Sequence, residues 1–249
     1  MPWNLKDRVN AYTETTEIRY AIWALWAGSK EAFRNGGFRA LLDIRALQDA
    51  GFHLWYKTLN VFALEFEQTK TPLPKLISAA DGVVLEIGPG IGNQLRRFDK
   101  SKISRTKCAI RGWRDYEIAA CHVEDSDILE KHGISANSVD TVISVQVLCS
   151  VHDPVAVMKE MYRVLKPGGK LIFYEHYRSS DWLTAAVQYL LNPLWSFLLG
   201  GCNMTRDTKA NVAAAGEWEN LASMEVDENP WTTFPRAWGV LIKPGSERA

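Results

Sequence analysis

The chain predicts a doubly wound α/β sheet preceded by a helical cap, and three observations carry that prediction. Short runs of β-forming apolar residues recur after about Gly82. A helical segment lies between two of them, and a glycine-rich turn follows the first. Strand, helix, strand in that order calls for parallel pairing through a crossover, which builds a layered sheet with helices on its faces.

The cap comes first. From about Thr15 to Phe33 and from about Phe38 to Thr69, apolar residues recur every three or four positions, with Gly36-Gly37 as the break between two helices. Pro72 and Pro74 close this pattern, so residues 1–75 are expected as the cap and 76–249 as the sheet domain. The strands are then "VVLEI" (Val83 to Ile87), "VDTVISV" (Val139 to Val145), "KLIFYEH" (Lys170 to His176) and "RAWGVLIK" (Arg236 to Lys243). Asp153 is placed to cap a helix with Pro154 in its first turn. Val155, Met158, Tyr162 and Leu165 are its expected apolar face, and Gly168-Gly169 its end.

Composition narrows the function classes. The chain has 249 residues, 47% hydrophobic and 23% charged, which suits a well-cored globular protein. Basic and acidic residues balance at 29 each, so no overall field gathers phosphate backbones, and a nucleic-acid partner is not expected. Cys108, Cys121, Cys149 and Cys202 stand apart, without zinc-ligand spacing, so no metal is expected; with no secretory signal pattern they suggest reduced thiols in the cytoplasm.

The loop "GPGIG" sits directly behind the first strand, where a doubly wound sheet holds its ligand. Bare backbone there lets a ligand lie against the main chain. The spacing is GxGxG and not the GxGxxG of dinucleotide sites, which argues against a nicotinamide oxidoreductase and for a different nucleoside ligand.

"VLEIGPGIGN" resembles the first motif of class I S-adenosylmethionine-dependent methyltransferases. "SVDTVISVQVLCSVHDP", "EMYRVLKPGGKLIFYEH" and "NPLWSFLLGGCNMTRDT" together resemble the methyltransferase-like 7 branch, membrane-associated proteins linked to methylation of small thiols. The resemblance runs from about Gly82 onward and implies a Rossmann-like methyltransferase sheet with S-adenosyl-L-methionine as cofactor. It puts Gly88, Gly90, Gly92 and Asn93 against the cofactor, with Glu86, Glu124, Asp125 and Ser144 as further cofactor-binding candidates. A carboxylate near a sulfonium is electrostatically favourable; Glu86 can serve that way or simply accept hydrogen bonds from loop amides. Asp125 is equally suited to capping the helix that follows it.

One expected part is missing. The family has a second strand ending in an acid that holds the ribose, whereas the segment after Phe98 offers only a weak apolar run at Cys108 to Ile110, with Arg111 where the acid belongs. Asp115 and Glu117 can take that role or remain solvated charges. This gap keeps a non-catalytic, partner-binding protein of the same fold as the alternative.

His176, at the end of "LIFYEH", is the candidate for acceptor chemistry, the other reading being a structural hydrogen bond. Cys149 and Cys202 read as packed small hydrophobes. The acceptor is expected to be a small, hydrophobic thiol or hydroxyl compound, in a setting of specialised metabolism. The uncharged stretch Trp182 to Gly201 has the length of a span, but Gln188, Asn192 and Pro193 interrupt it, so a substrate lid or an interfacial helix pair is preferred. A peripheral contact with an intracellular membrane stays open.

Overall fold

The computed structural model describes residues 5–13, 16–107, 116–117, 125–229 and 231–245. They divide into two compact units. The first gathers Met1–Phe66, Tyr177–Arg206 and Asp227–Pro235; the second contains Glu67–His176, Asp207–Val226 and Arg236–Ala249.

The helical unit begins with α1 (Leu5–Thr13), α2 (Thr16–Ala40) and most of α3 (Ile44–Lys70). Gly37 breaks α2 with a positive φ of 63°, at the place expected, but helical turns resume as far as Ala40 and a turn at residues 41–42 separates α2 from α3. Leu41 and Leu42 carry no turn chemistry, which is why this second break is not visible in the sequence.

The second unit opens with α4 (Leu73–Ile77), whose first turn accommodates Pro74 because its N–H would lack a helical partner there. Its sheet is built from β1 (Gly82–Ile87), β2 (Ile103–Lys107), β3 (Tyr116–Glu117), β4 (Val139–Val145), β5 (Leu165–His176), β6 (Glu225–Val226) and β7 (Arg236–Ile242). Two helices are interspersed, α5 (Ser126–Lys131) before β4 and α6 (Pro154–Val164) before β5. The strand order is β3-β2-β1-β4-β5-β7-β6, parallel except for β7, which runs against both of its neighbours. The doubly wound α/β expectation holds. The chain leaves β1 toward β2 on one side and returns to its other side with β4.

β2 corrects the sequence reading. A second strand exists at "ISRTK", ahead of the weak apolar run at Cys108 to Ile110, which lies outside the described residues, and it pairs in parallel with β1 from Gly82 to Leu85. Its polar composition hid it. Cys108, Arg111, Asp115 and Cys121 lie outside the described residues.

α6 starts as predicted, with the Asp153 carboxylate accepting from the Val155 and Ala156 N–H groups at 2.9 and 3.0 Å. Its buried face is different: Val157, Met158, Met161 and Val164 are fully buried, whereas Val155 is exposed. The helix stops at Val164 because Pro167 cannot continue it, and Leu165 already belongs to β5.

The core of this unit packs Leu73, Ile77 and Ala80 onto Val84, Ile143, Ile172 and Tyr174, with Phe98 closing the same cluster. Buried strands of this kind are apolar on both faces, so the charged residues within them stand out.

In the helical unit, α7 (Trp182–Leu198) is capped by Asp181, which accepts from the Thr184 N–H at 2.9 Å. Gln188, which interrupts its apolar run, is fully buried: its amide donates to the Tyr177 and Thr233 carbonyls and its oxygen accepts from the Ser179 N–H. Arg8 pairs with Asp181 at 3.0 Å in the same unit. α8 (Thr208–Ala213) follows, back in the sheet unit.

Candidate active site

β1 and β4 are neighbours from which the chain departs in opposite directions, so the crevice beyond their carboxyl ends is the switch point where doubly wound sheets bind ligands. The loop after β1 forms one wall. Gly88, Gly90 and Gly92 all have positive φ, at 54°, 56° and 82°. At Gly88 the reason is also steric: a Cβ there would lie 2.5 Å from Cγ2 of Val147, in the loop after β4. The two loops approach so closely that only a glycine fits.

The register sorts the candidate side chains by face. Glu86 pairs with Ile143 and Ile143 with Ile172, which puts these three on one face. Two residues further along β5 is Tyr174, beside Trp238, and then His176, beside Arg236, all on that same face. Ser144 and Glu175 face the other way.

Glu86 is 2% exposed and its Oε2 has no hydrogen-bond partner among the described residues. Burial pushes its carboxyl up to about 8 from an ordinary 4.5. A buried carboxyl oxygen without a partner is costly and rare, and its position at the end of β1 is where a cationic or hydrogen-bonding ligand would meet it.

Glu175 has the opposite circumstances. It is fully buried and accepts from the Ser144 hydroxyl at 2.6 Å and from the Val147 and Leu148 N–H groups at 3.0 and 3.1 Å. Burial pushes it up to about 8, the nearby Cys149 adds to this, and the bonds from Ser144 and Val147 pull the other way. This carboxyl fixes the path of the loop after β4, including Gln146 with its positive φ of 55°. The Ser144 hydroxyl is thereby engaged on the face away from Glu86.

His176 is half-buried, and a ring nitrogen lies within 4.8 Å of the Cys149 Sγ. Its carbonyl accepts from the Thr208 hydroxyl at 2.7 Å, which holds the end of β5. Asn93 is half-buried at the end of the glycine loop. Asp125 stands at the N-cap of α5, where its carbonyl accepts from Ile128 and Leu129, but its carboxylate makes no capping bond. Glu124 lies outside the described residues. Glu117, on β3, accepts or shares a proton with His132 Nδ1 at 2.8 Å.

Two residues of this region are not evident from sequence. Glu175 could have been suspected from a lone acid closing the apolar run "LIFY". Arg97 could not: of the adjacent pair Arg96 and Arg97 one is exposed and one buried, and what buries Arg97 is Glu67, thirty positions earlier.

The donor set fits a sulfonium nucleoside. The backbone is bare over the glycine loop, and a buried carboxyl with one unpartnered oxygen stands at the end of the strand before it.

Comparison with known proteins agrees. Residues 85–173 match the family described as a methyltransferase domain. The chain is 40% identical over 83 residues to thiol S-methyltransferase TMT1B of Rattus norvegicus, covering 33% of this chain and 34% of the relative. It is 40% identical over 115 residues to thiol S-methyltransferase TMT1A of Homo sapiens, covering 45% and 47%. The chain thus spans less than half the length of these relatives. Among solved structures, an O-methyltransferase family protein from Burkholderia thailandensis superposes with a TM-score of 0.54 at 14% identity, over 92% of this chain and 71% of that one. The CurJ carbon methyltransferase gives 0.53 at 13% identity, over 96% and 71%. These likenesses show the fold. Residues 85–173 thus match a methyltransferase domain family, in a fold shared with solved methyltransferases, and part of the chain is similar in sequence to thiol S-methyltransferases.

Proposed function

We propose that the protein transfers the methyl group of S-adenosylmethionine to a small, hydrophobic thiol. The observation that carries the reading is Glu86, a buried carboxyl with an unpartnered oxygen at the switch point beside a glycine loop. The choice of a thiol rests on the similarity to thiol S-methyltransferases over up to 45% of the chain.

Gly88, Gly90, Gly92 and Asn93 would hold the cofactor by close backbone approach, with Glu86 as its acidic contact. When bound, the cofactor supplies an electrophilic methyl on a sulfonium, which becomes a neutral thioether once the acceptor sulfur has taken the methyl. The protein's task is chiefly positioning, since a thiolate needs little further activation. His176 lies on the same sheet face as Glu86 and is suited to receive the thiol proton. The loop after β4, held by Glu175, keeps the wall opposite the glycines rigid.

We extend the reading to a peripheral contact with an intracellular membrane. Trp26, Phe38, Leu42, Trp182 and Leu190 are exposed in the helical unit, and such side chains favour a lipid interface. No helix among the described residues is long and apolar enough to cross a membrane. Sedimentation with phospholipid vesicles tests this: retention that a Trp182→Ser, Leu190→Ser variant loses supports it, and no retention removes it.

The activity is tested by calorimetric titration with S-adenosylmethionine and S-adenosylhomocysteine, followed by a screen of thiols and phenols with identification of the methylated product. Binding with S-methyl products supports the reading. Binding with O-methyl products alone would move the acceptor to a hydroxyl. A folded protein that binds neither ligand would leave the non-catalytic alternative.

A further inference from the structure

We propose that the side-chain amide of Gln146 holds the sulfur of the methyl acceptor, donating an N–H to it at the mouth of the crevice. The assignment rests on the thiol reading above and adds to it a residue outside the glycine loop.

Gln146 is the first residue after β4 and has a φ of 55°. Among the described residues the other positions with positive φ are glycines, apart from Asn137. Glycine has no Cβ to clash in this conformation, and asparagine tolerates it through local hydrogen bonding. Glutamine has neither advantage, so its left-handed backbone is strained.

The surroundings impose that conformation. The Gln146 N–H donates to the Tyr174 carbonyl at 2.9 Å, and its own carbonyl accepts from the Cys149 thiol at 3.8 Å. Glu175 takes the amides of the next two residues. All of these contacts fix the main chain or its neighbours, and a glycine would make them on the same path without strain. The strain is therefore kept for the side chain, and residues held in this way gather at functional sites.

The position of Gln146 shows what that side chain can meet. Val145 pairs with Tyr174, so Gln146 leaves β4 one step before the level of His176 on β5. Val147, which follows it, lies against Gly88, where a Cβ would be 2.5 Å from its Cγ2. Gln146 thus stands between the glycine loop, which would hold the cofactor, and His176, which would receive the thiol proton. It is half-buried, neither packed into the core nor lost to open solvent. A neutral amide donor suits this place: it stabilises a thiolate sulfur without adding a positive charge that would repel the sulfonium.

The test compares the unmodified protein with Gln146→Gly and Gln146→Glu. Three quantities are measured: melting temperature, S-adenosylhomocysteine affinity by calorimetry, and kcat/KM with thiophenol and 1-hexanethiol as acceptors. Gln146→Gly is expected to melt at least as high as the unmodified protein, to bind S-adenosylhomocysteine equally well, and to lose about tenfold in kcat/KM. Gln146→Glu keeps the size but has no N–H to donate and adds a negative charge beside the thiolate, so it is expected to lose at least as much. Either variant as active as the unmodified protein overturns the assignment. A lower melting temperature for Gln146→Gly would mean that the side chain supports the fold, and S-adenosylhomocysteine affinity falling in step with kcat/KM would mean that it touches the cofactor; both overturn the assignment and leave the cofactor reading standing. An unmodified protein that binds S-adenosylhomocysteine but methylates neither thiol removes the thiol reading and the assignment together.

Discussion

Gly88 is the residue at which backbone geometry and packing impose the same requirement. Its φ is positive and its missing Cβ is where Val147 sits. Gly88→Ala is expected to cost about 1–3 kcal/mol of stability from backbone strain, with cofactor affinity falling further because the wall must shift. Chemical denaturation and calorimetry on the same sample check both; unchanged values would mean that the loops are not packed this tightly. Such a glycine is legible in sequence because its demand is local and follows directly on an apolar strand. Glu86 was legible in part, as an acid in the first motif, but not its missing partner. Arg97 was not legible at all. Its environment comes from α3, and nothing in "LRRFD" says which arginine turns inward.

At the scale of elements, the segment after β4 is held from the next strand. Glu175 gathers the Ser144 hydroxyl and the Val147 and Leu148 amides, so Glu175→Ala leaves these donors buried without an acceptor. A loss on the order of 3 kcal/mol is expected, with a smaller loss for Glu175→Gln, which retains one acceptor oxygen. Thermal melts of the pair check the ordering; equal melting points would mean that water replaces the carboxyl. β1, β4, β5 and β7 were readable because buried strands need continuous apolar runs. β2 escaped because "ISRTK" is polar and only its pairing with β1 identifies it. The inward face of α6 was misjudged by a residue or two, since Val155 lies too near the helix start to be covered. A contiguous cap of residues 1–75 likewise could not anticipate that Tyr177–Arg206 and Asp227–Pro235 belong with the N-terminal helices. Membership of that kind is decided by packing between distant segments and leaves no local mark.

The whole molecule has a consequence in its pH response. Glu86 and Glu175 are both pushed up from 4.5 to about 8 by burial, so the folded chain keeps protons there that the unfolded chain has released. Stability from these groups is greatest in acid, falls as pH rises from about 4.5 to about 8, and levels off above that. Urea denaturation at about pH 5.5 and about pH 8.5 is expected to show the decline from this source, and Glu86→Gln to flatten it while weakening S-adenosylmethionine binding about tenfold. A Glu86→Gln profile parallel to that of the unmodified protein would mean that Glu86 is already ionised when folded.

β4 and β5 hold the middle of the sheet, β4 paired with β1 and β5, and β5 paired with β4 and β7. Their amide protons should therefore exchange with solvent slowly. A ligand seated beyond the ends of β1 and β4 would act on the two loops that leave those strands. On addition of S-adenosylhomocysteine the largest slowing of exchange is expected in the glycine loop after β1 and in the loop after β4, and little change where the sheet already holds itself. Occupancy by cofactor would then decide how long the mouth of the crevice stays closed.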